Sequence, residues 1–186
     1  MSTMTPVQIR ESSRKLSAAD YAGTIRSYYP FWDSMYRPFL VRAVEALPAD
    51  RFDWKPRPDM FTARQIVVHI AECERGWIHT TVEGGTYEEW VVPHRDPAQG
   101  WELSIHAPDH AAMLTLLEEW HEHTQRWMKQ PVSELSRVFI DKWPDRPERR
   151  FTLHWILDTL QQHEIHHRAQ LISYFRLMGL DPPESM

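Results

Sequence analysis

Three histidines carry the strongest chemical signal in this chain. His163 and His167 lie four residues apart in a stretch of helical period, residues 152–178. An α-helix advances about 100° per residue, which fixes where each side chain points around the axis. With His163 at zero, Ile156 falls at about 20°, Leu160 at about 60°, Leu153 and Leu171 at about 80°, and Leu157 and Phe175 at about 120°. The apolar stripe is centred at about 70°; His167 lies inside it at about 40° and His163 on its edge. His166, at about 300°, falls outside it and His154 falls opposite. Two imidazoles at i, i+4 can converge on one metal ion, as the two His of an HExxH helix do.

A second periodic stretch supplies the third candidate ligand. With His69 at zero, Cys73 lies at about 40°, Ile66 at about 60°, Trp77 at about 80° and Ile70 at about 100°. His69 therefore sits on the inner edge of an apolar stripe. A lone inward His is usually a hydrogen-bonded core residue. Three of them on two facing helices bring about six ring nitrogens that need partners, each unmet one costing about 1–3 kcal/mol. A single divalent cation satisfies one nitrogen from each ring. Imidazole donors suit Zn, Ni, Fe or Cu, with Zn or Ni favoured, and three protein ligands leave positions open for water or substrate.

The neighbours of these residues have two readings each. Glu164, at about 100°, lies inside the stripe, which is unusual for a carboxylate. It either pairs with an arginine across the fold or accepts from a histidine and so orients it, and it is the one candidate for a catalytic base. Cys73 reads first as a small buried hydrophobe, with a fourth ligand or reactive thiol as the alternative. Gln170 and Tyr174 flank the His face and either line a pocket or fill the core. Arg168 reads as a structural or interface ion pair, and His166 as a surface residue on the pocket rim. His94 and His106 read as solvated loop residues. The tryptophans, among them Trp77, Trp120, Trp127 and Trp155, read mostly as core or interface.

Helices must position all of this. Residues 1–16 are polar and are expected to form a flexible N-terminal arm, with residues 17–186 as a single domain. The first helical stretch, 17–47, opens on Ser17 with Asp20 three residues on, is interrupted by Pro30 and Pro38, and is ended by Pro48. The second starts at Thr62, where Gln65 completes a capping box, and stops before Gly84-Gly85. The segment 84–108, with Tyr87, Trp90, His94, Trp101 and His106, reads as a long irregular loop. The third helix spans 109–129, with Met113, Leu116, Leu117, Trp120, Thr124 and Trp127 on one face. Residues 131–150 read as a charged connector with one apolar patch, Val138-Phe139-Ile140. The fourth helix runs from Thr152 to Met178 and is closed by Gly179 and Pro182-Pro183. Four helices with short returns predict an all-α four-helix bundle, whose cores commonly hold metal sites.

Composition removes several function classes. At 186 residues the length fits one domain. The net charge of −5 comes without any basic stripe, which excludes nucleic acid as a partner. No apolar run approaches the length of a membrane span, and mean hydropathy is −0.55. The first residues lack an apolar signal region and the chain has a single cysteine, so a cytoplasmic location is expected. Only 6 glycines are present and no phosphate-cradling motif occurs. The 11 histidines point instead to metal or acid–base chemistry.

The segment His163-Glu164-Ile165-His166-His167-Arg168-Ala169-Gln170-Leu171, followed by Tyr174, Arg176, Gly179 and Pro182-Pro183, resembles the last helix of the DinB/YfiT-like family. The stretch Phe61 to Trp77, with an apolar run, His69 and acidic residues, is similar to that family's second helix. The resemblance covers residues 20–183 and implies a four-helix bundle, often a homodimer, holding one divalent metal per chain through His69, His163 and His167. It further implies a small-molecule substrate. Members include thiol-dependent S-transferases and isomerases, which use a low-molecular-weight thiol such as mycothiol or bacillithiol, and metal-dependent hydrolases. Ala169 stands where the family usually has Gly, but at about 240° it points away from the metal face. The leading expectation is thus a metal-dependent transferase or hydrolase. A non-enzymatic metal- or ligand-binding stress-response bundle is the alternative, and it predicts a site closed by a fourth protein ligand such as Cys73. A plain structural dimer with core histidines is the third.

Overall fold

The computed structural model describes residues 4–14, 18–85, 107–142 and 147–184. The Ser17 cap and the loop residues Tyr87, Trp90, His94, Trp101 and His106 lie outside them. Among the described residues the α-helices are α1 (Pro6–Arg14), α2 (Arg37–Ala46), α3 (Ala63–Glu74), α4 (His110–Met128) and α5 (Leu153–Leu177). Helices α2 to α5 form the bundle, with α3 and α2 each packed on both α4 and α5.

The helix starts follow local chemistry. Thr62 and Gln65 make both bonds of the capping box at α3, Gln65 N–H to Thr62 Oγ1 at 3.1 Å and Thr62 N–H to Gln65 Oε1 at 2.9 Å. Asp109 caps α4 and Thr152 caps α5, each accepting from a backbone N–H three residues on. Pro38 does not interrupt a helix but opens α2, where its missing N–H costs nothing. Ahead of it the chain forms two 3₁₀ turns, Ala18–Tyr21 and Ile25–Tyr28, and a π-helical turn, Trp32–Tyr36. At the other end of α5, Gly179 has φ +73°. The Leu180 N–H reaches the Phe175 carbonyl at 2.9 Å, and the Gly179 N–H reaches that of Arg176 at 3.1 Å. This is the double closure that needs a left-handed residue.

Three expectations need correction. Residues 6–14, read as a loose arm, form α1, which packs on α2 and the π turn before it. One buried apolar side chain anchors it, Ile9 at 0% exposure, with a bond from Ser13 Oγ to the Ser34 carbonyl at 2.8 Å. Cross-chain bonds of this kind leave no periodic trace in a polar sequence. The connector 131–150 contains an antiparallel hairpin, β1 (Val138–Asp141) and β2 (Arg149–Thr152), in register Val138 to Thr152. Phe139 and Asp141 face inward on alternate positions. Asp141 would be an unstable inward residue without Arg149 Nη2 at 2.6 Å and Thr81 Oγ1 at 3.2 Å. Finally, the second helical stretch ends before Gly84, at φ +81°, as expected, but it is not α-helical throughout: α3 passes at Arg75 into a π-helix, Arg75–Val82.

The core falls into two apolar clusters. One holds Leu40, Ile66, Ile70, Leu117, Leu171 and Phe175; the other holds Trp32, Ile78, Met128, Leu153, Ile156 and Leu160. Along each bundle segment a charged residue separates the two: Arg37 at the start of α2, Glu74 in α3, His121 in α4 and Glu164 in α5. A polar belt thus crosses the middle of the bundle.

Candidate metal centre

The capped start of α3 and the apolar stripe of α5 bring the three predicted imidazoles together. One ligand nitrogen from each of His69, His163 and His167 lies within 4.8 Å of the others. His163 Nε2 and His69 Nε2 are 3.1 Å apart. A neutral imidazole has one N–H, so only one of these rings can donate to the other. Neither ring has a carbonyl or carboxylate partner among the described residues. The fit to a cation follows from the donors. Two nitrogens each about 2.0–2.1 Å from a zinc ion lie at most about 4.2 Å apart, so ring adjustments of under about an ångström complete the set.

Electrostatics favour the metal-binding form. Burial, with the charge of His167 second, pushes His69 down to about 4. Burial, then His167, His69 and His166, pushes His163 down to about 3. Burial lowers His167 too, against the opposing effect of Gln170. Neutral imidazole is the ligating species. His167 is also oriented: its Nδ1–H donates to Gln170 Oε1 at 2.6 Å, which leaves Nε2 with the free lone pair.

One aromatic side chain, Phe61, borders the triad. The Phe61 ring lies 5.3 Å from that of His69, and the Tyr174 hydroxyl donates to the Phe61 carbonyl at 3.0 Å. Tyr174 thereby holds the loop before α3 against α5. His166 is exposed, with its ring 5.0 Å from His167. Ala169 is exposed on the far face. Cys73 Sγ sits 3.7 Å from the ring nitrogens of His69, and burial pushes its thiol up to about 12. It is not part of the donor group, and among the described residues no fourth donor joins the three imidazoles.

Glu164 has a different setting from the imidazoles beside it. It is 1% exposed, accepts from Trp32 Nε1 at 2.9 Å and pairs with Arg37 Nη2 at 2.8 Å. Of its two predicted roles, the arginine across the bundle is the one with contacts. No hydrogen bond joins it to the three imidazoles. Burial raises its pKa against the pull of Arg37 and His121. Arg168 is buried nearby over the Tyr36 and Phe39 rings, at 5.8 and 5.9 Å.

The polar belt around Glu164 escaped the sequence reading. Arg37 Nη2 also binds Glu74 Oε2 at 2.7 Å. His121 donates from Nδ1 to Glu74 Oε1 at 2.6 Å and from Nε2 to Asp33 Oδ1 at 2.7 Å. Burial and Arg37 oppose a charge on His121, but the two carboxylates outweigh them and its pKa is raised. Burial alone would raise Glu74; His121 and Arg37 reverse that and hold it at about 2. Asp33 is lowered as well, burial again being overcome by His121, and it forms an ion pair with Arg26. The available signal was position: His121 continues the i, i+4 series Met113, Leu117, His121.

An all-α bundle that gathers three imidazoles from two of its helices defines a recognisable class. The chain belongs to the DinB family, which matches residues 28–185. Its fold is similar to that of a DinB-like protein from Bacillus subtilis, with 21% identity and a TM-score of 0.51. That likeness covers 77% of this chain and 86% of the other. No curated protein matches the chain. At this identity the likeness carries the fold and leaves the chemistry to the site.

Proposed function

We propose that this chain is a divalent-metal-dependent enzyme acting on a small molecule, as a thiol S-transferase or a hydrolase. The observation that supports it is an imidazole triad with no fourth protein donor, bordered by the ring of Phe61. His69, His163 and His167 would hold the ion, with Zn or Ni the metals we favour among those that imidazole suits. When bound, such an ion supplies Lewis acidity, which favours the anionic form of a thiol or water and polarises a carbonyl. The remaining work falls to the chain itself. Gln170 fixes the ring of His167, burial keeps His69 and His163 unprotonated, and Phe61 shields one side of the opening from water. A low-molecular-weight thiol is the cosubstrate of the transferase reading. Pairing of two chains into a homodimer and a cytoplasmic location belong to the same reading.

A purely metal-storing or sensing bundle would be served better by a closed site. Cys73 is the sulfur available for that, and its thiol is protonated and outside the donor group. The test is to load chelated protein with Zn or Ni and assay thiol conjugation and ester or amide hydrolysis. Turnover is expected to vanish in His167→Ala. In Gln170→Leu, metal affinity is expected to fall about 10–100-fold while the fold is kept. Stoichiometric metal at the triad with no turnover across thiols and hydrolysable substrates would overturn the enzymatic reading.

A further inference from the structure

We propose that His79, Glu83 and His123 form a second site, for a divalent transition-metal ion of the zinc class, where the π-helical continuation of α3 meets α4. It does not depend on the triad. His79 lies ten residues beyond His69 on the same helical run, roughly 15 Å at 1.5 Å per residue.

The donor set is chemically coherent. One ligand atom from each residue lies within 4.8 Å of the others. Glu83 Oε2 is the hub, 2.6 Å from His123 Nδ1 and 3.6 Å from His79 Nδ1. The first distance is a hydrogen bond; the second is too long for one. A cation that displaces the His123 proton brings both nitrogens onto the same side of one carboxylate. Two His and one carboxylate are a recurrent set for zinc and for iron, with positions left for water. The other carboxylate oxygen, Oε1, is 3.7 Å from Arg126 Nη2, so the hub has an outer partner that orients it.

The rings are also held in place. A Cβ built on Gly85 would lie 2.5 Å from His79 Nε2 and 2.9 Å from Cε1. The bare glycine thus packs against that edge of the ring and turns Nδ1 toward Glu83. The Gly85 N–H also bonds the His79 carbonyl at 2.9 Å. The Trp120 indole backs both imidazoles, with centroids 5.6 Å from His79 and 5.3 Å from His123. The His79 and His123 side chains are partly buried, 26% and 22% exposed, and converge on Glu83 at the surface. His79 sits in a π-helix, a local widening that often accompanies functional positions.

The experiment is equilibrium dialysis of chelated full-length protein against zinc alone, with metal counted by elemental analysis and folding followed by circular dichroism. The expected result is a second class of bound zinc in wild type. That class is lost, with the first intact, in His123→Ala and Glu83→Gln. It is weakened about 10–100-fold in Gly85→Ala, where the added methyl displaces the His79 ring. It is retained in His163→Ala, which loses only the first class. A single class of zinc that disappears in His163→Ala, or a second class untouched by both His123→Ala and Glu83→Gln, overturns the proposal. Failure here leaves the triad reading standing, because the two are read from different variants.

Discussion

The middle of the bundle holds two polar regions that solve burial in opposite ways. In the belt, charges meet charges. Arg37 sits between Glu74 and Glu164, and His121 sits between Glu74 and Asp33. In the triad, three neutral imidazoles meet one another, and among the described residues only His167 has an oxygen partner, Gln170. Both regions draw on α3 and α5, and Glu164 follows His163 directly in sequence. In the belt each ion has an opposite charge beside it, whereas the triad sets lone pairs against one another and has the donor set a cation would take. Buried ions impose a desolvation cost that well-placed partners offset, so such a belt fixes how helices meet more than it stabilises them. A set of convergent lone pairs does neither, which is why it marks function.

The strongest way to break this contrast is to remove the belt's cation. Arg37→Met removes the guanidinium that Glu74 and Glu164 share. A buried pair broken on one side costs about 3–5 kcal/mol, a large share of a domain's stability. Urea denaturation is the measurement. His167→Ala in chelated protein should cost much less, since no charge is stranded. If the two variants were equally destabilising without metal, the distinction between the regions would be lost.

Metal removal sharpens the other half. A ligand at 100-fold excess over its dissociation constant stabilises the native state by about 2.7 kcal/mol. Chelation is therefore expected to lower the melting temperature of wild type by more than that of His167→Ala, which keeps only the ion proposed at His79, Glu83 and His123. Equal shifts in both would show that the stabilising ion sits elsewhere.

The belt also has a pH signature, and its sign follows from the two groups. Glu74 is held at about 2, below the ordinary carboxylate value of about 4.5. Its contribution is present above that ordinary value and is lost as pH falls from there toward about 2. His121 is raised above its ordinary 6.5. Its contribution is present below 6.5 and is lost as pH rises through the folded value. The bare triad adds to the acid side: His69, at about 4, and His163, at about 3, take up protons more readily unfolded than folded, so stability of chelated protein should fall as pH drops below 6.5 and fall again as pH rises through the raised value of His121. Glu74→Gln should flatten the part of the acid limb below about 4.5, as followed by denaturant midpoints across pH.

What was legible in the sequence depended on how cleanly each stripe was written. On α5 the leucines and Ile156 define one face, and His163, Glu164 and His167 fall where that face puts them. On α4 the aromatic residues misled. Trp120 and Trp127 drew the predicted stripe toward them, yet the residues buried are Met113, Leu117, His121, Thr124 and Met128, a face turned by roughly 50°. That rotation hid His121 and with it the whole belt. Arg37 and Asp33 were hidden for another reason: each is polar, and its partners are remote in sequence. The hairpin was suppressed by its charges, because Asp141 and the arginines of β2 stabilise it through pairing rather than apolar alternation. His79, Glu83 and His123 went unremarked because they lie away from the apolar faces from which ligands were sought.

The smallest expected effect tests the open side of the triad. Cys73 is one turn after His69, and a thiolate there would close the site into a storage geometry. Burial pushes the thiol up to about 12, and its sulfur lies outside the imidazole donor group. Cys73→Ala removes one methyl-sized atom from a partly buried position, a loss of about 1 kcal/mol at most. Zinc affinity at the triad should be unchanged, because no bond to the ion is lost. Cobalt substitution makes the distinction directly, since a sulfur ligand gives an intense charge-transfer band that a three-imidazole site lacks. Such a band in wild type, absent from Cys73→Ala, would mean that the metal draws the thiol into its coordination sphere. The open-site argument for catalysis would then lose its support, while the belt and the fold around it would stand.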